Sequence, residues 1–150
     1  MSEDESIEQI QIESIGSGVG SSKPLLFFTD SSIQAGFPSS VDNTTAVGID
    51  LMQLLAPNPP ATFFIRVVGN SMINAGIFAD DLLIVDRSLT PSNNDVVVAI
   101  VDGEFTVKRL VIKNNQYELK AENPEFKPIK FKETSELNIW GVVKKVIHFV

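Results

Sequence analysis

The dipeptide Asp102-Gly103 constrains this chain more than any other feature. It separates the aliphatic run Val96–Val101 from residues 104–112, which are rich in β-branched side chains. Asp-Gly suits the positive φ angles of a two-residue type I′ turn, so the two runs predict a β-hairpin. Asn114-Asn115 fills the same role before residues 116–121. Residues 61–68 and 82–85 have strand composition, the first ending at Gly69, and residues 137–143 add another. Asp50 is placed to cap a short helix over 51–55, which Pro57 and Pro59-Pro60 stop. No fixed-period repeat is present. The expected fold is mostly antiparallel β with at most one or two short helices.

A chain of 150 residues, 43% hydrophobic and 21% charged, has the size of one domain. Its net charge of −7 argues against a protein that grips nucleic acid directly, since such proteins carry a basic excess. The acid is unevenly placed. Residues 1–34 hold Glu3, Asp4, Glu5, Glu8, Glu13 and Asp30 against Lys23, a charge of −5 that leaves −2 for the rest. The Ser/Gly run 16–22 has flexible-linker composition, and Ile7, Ile10, Ile12 and Ile15 give only a poor strand or helix signal. The expected organisation is an acidic flexible arm over residues 1–38 and a β-rich domain over 39–150. The acidic start has the wrong charge for a secretory leader, and six aliphatic residues fall far short of a membrane span. A cytoplasmic protein with no membrane contact is expected.

The chemistry available is narrow. With no cysteine, thiolate metal sites, disulfides and cysteine nucleophiles are excluded. One histidine, His148, rules out a multi-histidine metal site and makes any Ser-His-Asp triad depend on it. No metal or cofactor is expected. Asp80 and Asp81, on consecutive residues, read as turn residues rather than an acid/base pair.

Lys108 stands out by register. Two-residue turns at both hairpins set it opposite Val97 on one side and Ala121 on the other, on a central strand. Thr106, Leu110 and Ile112 share its face, and Phe105, Val107 and Val111 the opposite one, so neither face is clearly wet. A lysine held there loses hydration, which favours the neutral amine and makes it a general base. The ordinary alternative is a stem lying on apolar surface with its ammonium in water. The second feature is Gly69-Asn70-Ser71-Met72, a turn where a hydroxyl can be exposed and N–H groups converge. Gly, Asn and Ser are also ordinary turn residues. With no cysteine and no well-placed histidine, a serine nucleophile needs a lysine or carboxylate base, and Lys108 is the candidate.

Gly69-Asn70-Ser71-Met72, then 81–86 (Asp-Leu-Leu-Ile-Val-Asp), then 102–110 around Lys108 together resemble the LexA/UmuD group of Ser-Lys self-cleaving proteins. Ala35-Gly36 within 35–39 resembles that family's cleavage site, and residues 49–55 the segment that follows it. The resemblance covers about residues 33–143. Only 35 residues precede the expected scissile bond, too few for a repressor's winged-helix DNA-binding domain, which favours the UmuD side. Asn70 stands where relatives often carry Asp, at a position that contributes backbone rather than side chain.

The resemblance implies a LexA/signal-peptidase-like β fold with an N-terminal arm. It implies that Ser71 attacks the Ala35 carbonyl, that Lys108 is the general base, and that backbone N–H groups of Asn70 and Ser71 bind the oxyanion. It further implies an SOS-response homodimer whose cleavage is stimulated by RecA filaments on single-stranded DNA, and a UmuC-type Y-family polymerase as partner. Two rivals follow from the residues. One is a β-rich binding module with an acidic tail and no chemistry. The other is a signal-peptidase relative, which requires a membrane anchor.

Overall fold

A computed structural model describes residues 8–10, 26–29, 46–131 and 137–150, in two units. The larger holds β1 (Glu8–Ile10) and the chain from Asn58 onward. The smaller holds β2 (Leu26–Thr29) and β3 (Ala46–Ile49), paired antiparallel, followed by α1 (Leu51–Leu55). Asp50 caps α1 as its sequence predicts, its carboxylate accepting the Gln53 N–H at 3.2 Å.

The larger unit adds β4 (Thr62–Arg66), β5 (Leu82–Asp86), β6 (Val96–Val101), β7 (Glu104–Lys113), β8 (Gln116–Lys120), β9 (Ile129–Phe131) and β10 (Asn138–Ile147). Among the described residues these form one antiparallel sheet in the order β1-β4-β5-β10-β6-β7-β8-β9. Among the described residues, helical structure is confined to α1 and two 3-10 turns, Pro59–Ala61 and Ile73–Ala75. The mostly-β expectation therefore holds. β1 adds a strand where the sequence signal is poor, pairing Glu8 with Arg66 and Ile10 with Phe64. The outer edge of β4 supplies the backbone groups that a short, weakly apolar segment can use.

Both hairpins form in the expected register. Asp102 and Gly103 have φ of 51° and 82°, and Asn114 and Asn115 have 49° and 58°, the left-handed values of a type I′ turn. Val97 lies opposite Lys108, and Lys113 opposite Gln116. The second flank of Lys108 departs from expectation. The β7–β8 ladder ends at Arg109 and Lys120, so Ala121 does not pair with Lys108. Beyond Lys120 the backbone leaves the sheet and bonds the loop after β4 instead, where the Glu122 carbonyl accepts the Asn74 N–H at 2.8 Å. Pro124, two residues on, has no N–H to offer a ladder.

β10 runs four residues past the predicted end and lies at the sheet's centre, between β5 and β6. Lys144-Lys145 looks like a strand terminus in sequence, yet the β5 pairing continues to Ile147 opposite Leu82. Register shifts fall between Val143 and Lys145 against β5, and between Ile139 and Gly141 against β6. Such irregularities bend a strand and increase its twist. Gly141 is needed at its position: a Cβ there would lie 2.5 Å from Val85 Cγ1.

The aliphatic run in β6 is continuous because it is buried on both faces. Val98 joins Ile65, Met72, Leu83, Val85 and Val107 in one apolar cluster. Its neighbour Val97 joins Ala99, Leu110, Leu119 and Val142 in a second. Alternation along β6 and β7 thus sends successive side chains into different cores. Trp140 packs edge-on against Phe63 and Phe105, beside the first cluster.

Candidate active site

The connection between β4 and β5 carries Ser71. Its base is closed by two backbone bonds, Val67 N–H to Asp81 carbonyl at 2.9 Å and Asp80 N–H to Val67 carbonyl at 2.8 Å. Gly69 takes φ of 89°, a value only glycine adopts freely, and so turns the chain into the loop. The 3-10 turn Ile73–Ala75 follows and ends at Gly76, φ 77°. Met72 fixes the depth of the loop. It is buried in the first cluster, and burying such a side chain contributes about 1.5–3 kcal/mol.

Lys108 comes from the middle of β7, where cross-strand pairing with Val97 holds its backbone. Its Nζ lies 2.9 Å from Ser71 Oγ, and the two residues are 6% and 4% exposed. The two residues that the sequence singles out, 37 positions apart, are thus in contact. The lysine does not reach water along an apolar surface. Burial beside Val97 and Leu110 disfavours the ammonium form, whereas the Phe126 ring, 5.7 Å from Nζ, acts in the opposite sense. At 2.9 Å a neutral amine can accept the serine proton, which leaves Oγ as a nucleophile. Val67, Gly69, Thr106 and Val107 line the small pocket beside Ser71.

Asn70 contributes backbone: its carbonyl accepts the Asn123 side-chain amide at 3.0 Å and the Ile73 N–H at 3.4 Å. Ala35 and Gly36 lie outside the described residues. His148 does not build a triad. Its Nδ1 meets Oδ1 of Asp81, a residue only 1% exposed, while Asp81 Oδ2 accepts the Phe78 N–H at 2.8 Å. Asp80, at φ 69°, is the turn residue the sequence suggests, but Asp81 is a buried organiser of the loop's return. Among the described residues, no three His, Asp or Glu side chains converge as a metal site, and no helix is long and apolar enough to cross a membrane.

Sequence reasoning does not single out Asn123 or Phe126. Both lie on the turn after β8, which in sequence reads as ordinary Asn-Pro punctuation. Their involvement follows from where β8 stops, and that is set by contacts distant in sequence.

The family model described as Peptidase S24-like matches residues 26–144. Protein ImpA of Escherichia coli is 42% identical over 116 residues, covering 77% of this chain and 78% of that protein. Protein MucA of Escherichia coli is 40% identical over 113 residues, 74% of this chain and 76% of its own. The LexA repressor of Oleidesulfovibrio alaskensis is 48% identical over 81 residues, 54% of this chain but only 39% of the repressor. Matched across most of its length by the family and by relatives of its own size, the chain belongs to the S24-like peptidases, in their UmuD-type group.

Proposed function

We propose that the chain cuts its own backbone between Ala35 and Gly36 with a Ser71–Lys108 dyad. The 2.9 Å contact between two buried polar side chains is the observation that carries this reading. Neutral Lys108 takes the Ser71 hydroxyl proton as Oγ bonds to the Ala35 carbonyl carbon. The tetrahedral oxyanion is held by backbone N–H groups of Asn70 and Ser71. Collapse breaks the Ala35–Gly36 bond, and Lys108 passes its proton to the departing Gly36 amine. Water, deprotonated by Lys108, then releases residues 1–35 from the serine ester and restores the hydroxyl. A segment supplied by the same chain, or by a second copy, reaches a high effective concentration, so a weak catalytic pair suffices.

Membership of the UmuD-type group supports a biological setting for this reaction. The protein acts in the cytoplasm in the SOS response, where RecA filaments on single-stranded DNA stimulate the cut. The processed homodimer serves a UmuC-type Y-family polymerase in error-prone synthesis. The acidic arm, residues 1–38, is the part altered by the cut, and residues 39–150 form the catalytic and partner-binding domain.

The test is intact-mass measurement of the purified chain incubated at mildly alkaline pH, with and without RecA filaments. A product beginning at Gly36, absent from Ser71→Ala and from Lys108→Ala, is expected. If no cut occurs even with filaments, the autoprotease reading fails and a binding module without chemistry replaces it.

A further inference from the structure

We propose that Asn123 is a positioning residue that aims the Ser71 backbone N–H at the developing oxyanion. The inference rests on the reading of Ser71 as nucleophile and extends it to the peptide unit that precedes Ser71.

Asn123 is 6% exposed, and its side-chain amide is held at both ends. Oδ1 accepts the Glu125 N–H at 3.1 Å, and Nδ2 donates to the Asn70 carbonyl at 3.0 Å. These partners fix which end is which, because the Glu125 N–H requires an acceptor and the Asn70 carbonyl a donor. The backbone of Asn123 is fixed as well: its own carbonyl accepts the Phe126 N–H at 3.1 Å. One residue earlier, the Glu122 carbonyl takes the Asn74 N–H. The turn after β8 therefore grips the serine loop on both sides of Ser71, at Asn70 and at Asn74.

The consequence lies in the planarity of the peptide bond. The Asn70 carbonyl and the Ser71 N–H belong to one rigid trans unit and point in opposite directions. Pinning the carbonyl oxygen with two donors, Asn123 Nδ2 and the Ile73 N–H, fixes the rotation of that plane. The Ser71 N–H is then aimed away from Asn123 before any substrate arrives. Oxyanion donors accelerate a reaction because their orientation is set in advance. An aspartate at 123 would keep the shape and the bond to Glu125, but it would present a carboxylate oxygen to a carbonyl oxygen.

Asn123→Asp in the full-length chain is the direct test, with Asn123→Ser as a second variant lacking the amide donor should the aspartate fail to fold. Two readouts are combined. The first is the self-cleavage rate across pH, well below each variant's melting temperature. The second is uptake of a peptide boronic acid ending in alanine, followed by its ¹¹B resonance, which moves when Ser71 Oγ adds to boron to form a tetrahedral anion. Both variants should cleave roughly 10–100-fold more slowly at every pH, less than the full loss of a donor. Asn123→Ser should keep the parent's pH midpoint, whereas the new carboxylate of Asn123→Asp favours the Lys108 ammonium and moves the midpoint up. Boronate affinity should fall by a similar factor. Cleavage at the parent's rate overturns the assignment, as does slow cleavage with unchanged boronate affinity. A shifted pH midpoint in the uncharged Asn123→Ser also overturns it, since Asn123 would then act through Lys108. If the parent itself neither cuts nor takes up boronate, the Ser71 reading fails, and the role of Asn123 falls with it.

Discussion

A double-mutant cycle on Ser71 and Lys108 tests the contact on which the site is built. Ser71→Ala removes the hydroxyl, and Lys108→Met keeps an unbranched stem against Val97 and Leu110 but removes the amine. The bond is 2.9 Å long, and both residues are more than nine-tenths buried, so neither partner exchanges it for water without cost. A net hydrogen bond contributes about 0.5–1.5 kcal/mol, and leaving one buried polar partner behind costs about 1–3 kcal/mol. Each single variant breaks the bond and leaves one buried polar member behind, whereas the double variant removes both. Neighbours coupled in this way show interaction energies of about 0.5–3 kcal/mol, so the two single losses should sum to that much more than the loss in the double variant.

Urea unfolding followed by the fluorescence of Trp140 provides the assay, because this sole tryptophan packs on β10 against Phe63 and Phe105. The parent is measured before self-cleavage sets in. The same proteins report on chemistry. Removing a general base lowers a rate by about 10²–10⁴-fold, and two members of one catalytic unit are not additive. The double variant should cleave no more slowly than the worse single one. Single-variant losses that add to the double within about 0.5 kcal/mol would refute the reasoning, since unbonded distant sites behave that way.

Two further outcomes are expected. The cleavage rate should rise with pH: Lys108 acts only as the neutral amine, burial disfavours its ammonium form, and raising pH increases the active fraction. A flat rate between about pH 6 and 9 removes Lys108 as the base. Gly141→Ala should destabilise the sheet by about 1–3 kcal/mol, because the new Cβ meets Val85 Cγ1 at 2.5 Å in the core; an unchanged urea midpoint would show that β10 is not seated against β5 as described.

The parts of this molecule legible in sequence are those set by local rules. Asp102-Gly103 and Asn114-Asn115 declare their turns through positive φ, and the period-2 strand then carries register as far as Lys108 and Val97. Ser71 is visible because a glycine and polar turn residues follow a strand. What escapes sequence reasoning is set by partners far along the chain. Asp81 looks like half of a turn, yet its carboxylate is buried against His148, 67 residues away. The turn residue Asn123 reaches the serine loop only because β8 stops at Lys120. The length of β10 is hidden by two lysines at its middle, where neighbours on both sides and two register shifts keep it in the sheet.

The division of labour between sheet and loop explains why so few catalytic groups suffice on the proposed reading. Pairing with Val97 of β6 holds the backbone under Lys108, and the β8 ladder begins at the next residue, Arg109. Because β6 and β7 are buried on both faces, the amine is desolvated without a separate hydrophobic cleft. The nucleophile sits on a loop, but one closed at its base by Asp81, plugged by Met72 and gripped by Glu122 and Asn123. Such a site is narrow, with Val67, Gly69, Thr106 and Val107 beside the serine. An extended segment with small side chains at the scissile bond enters it most easily, and Ala35 and Gly36 have the two smallest side chains. Restricted entry would cost a general protease its substrates. A self-cleaving chain loses nothing by it, because the one segment that must enter is already attached or carried by a second copy.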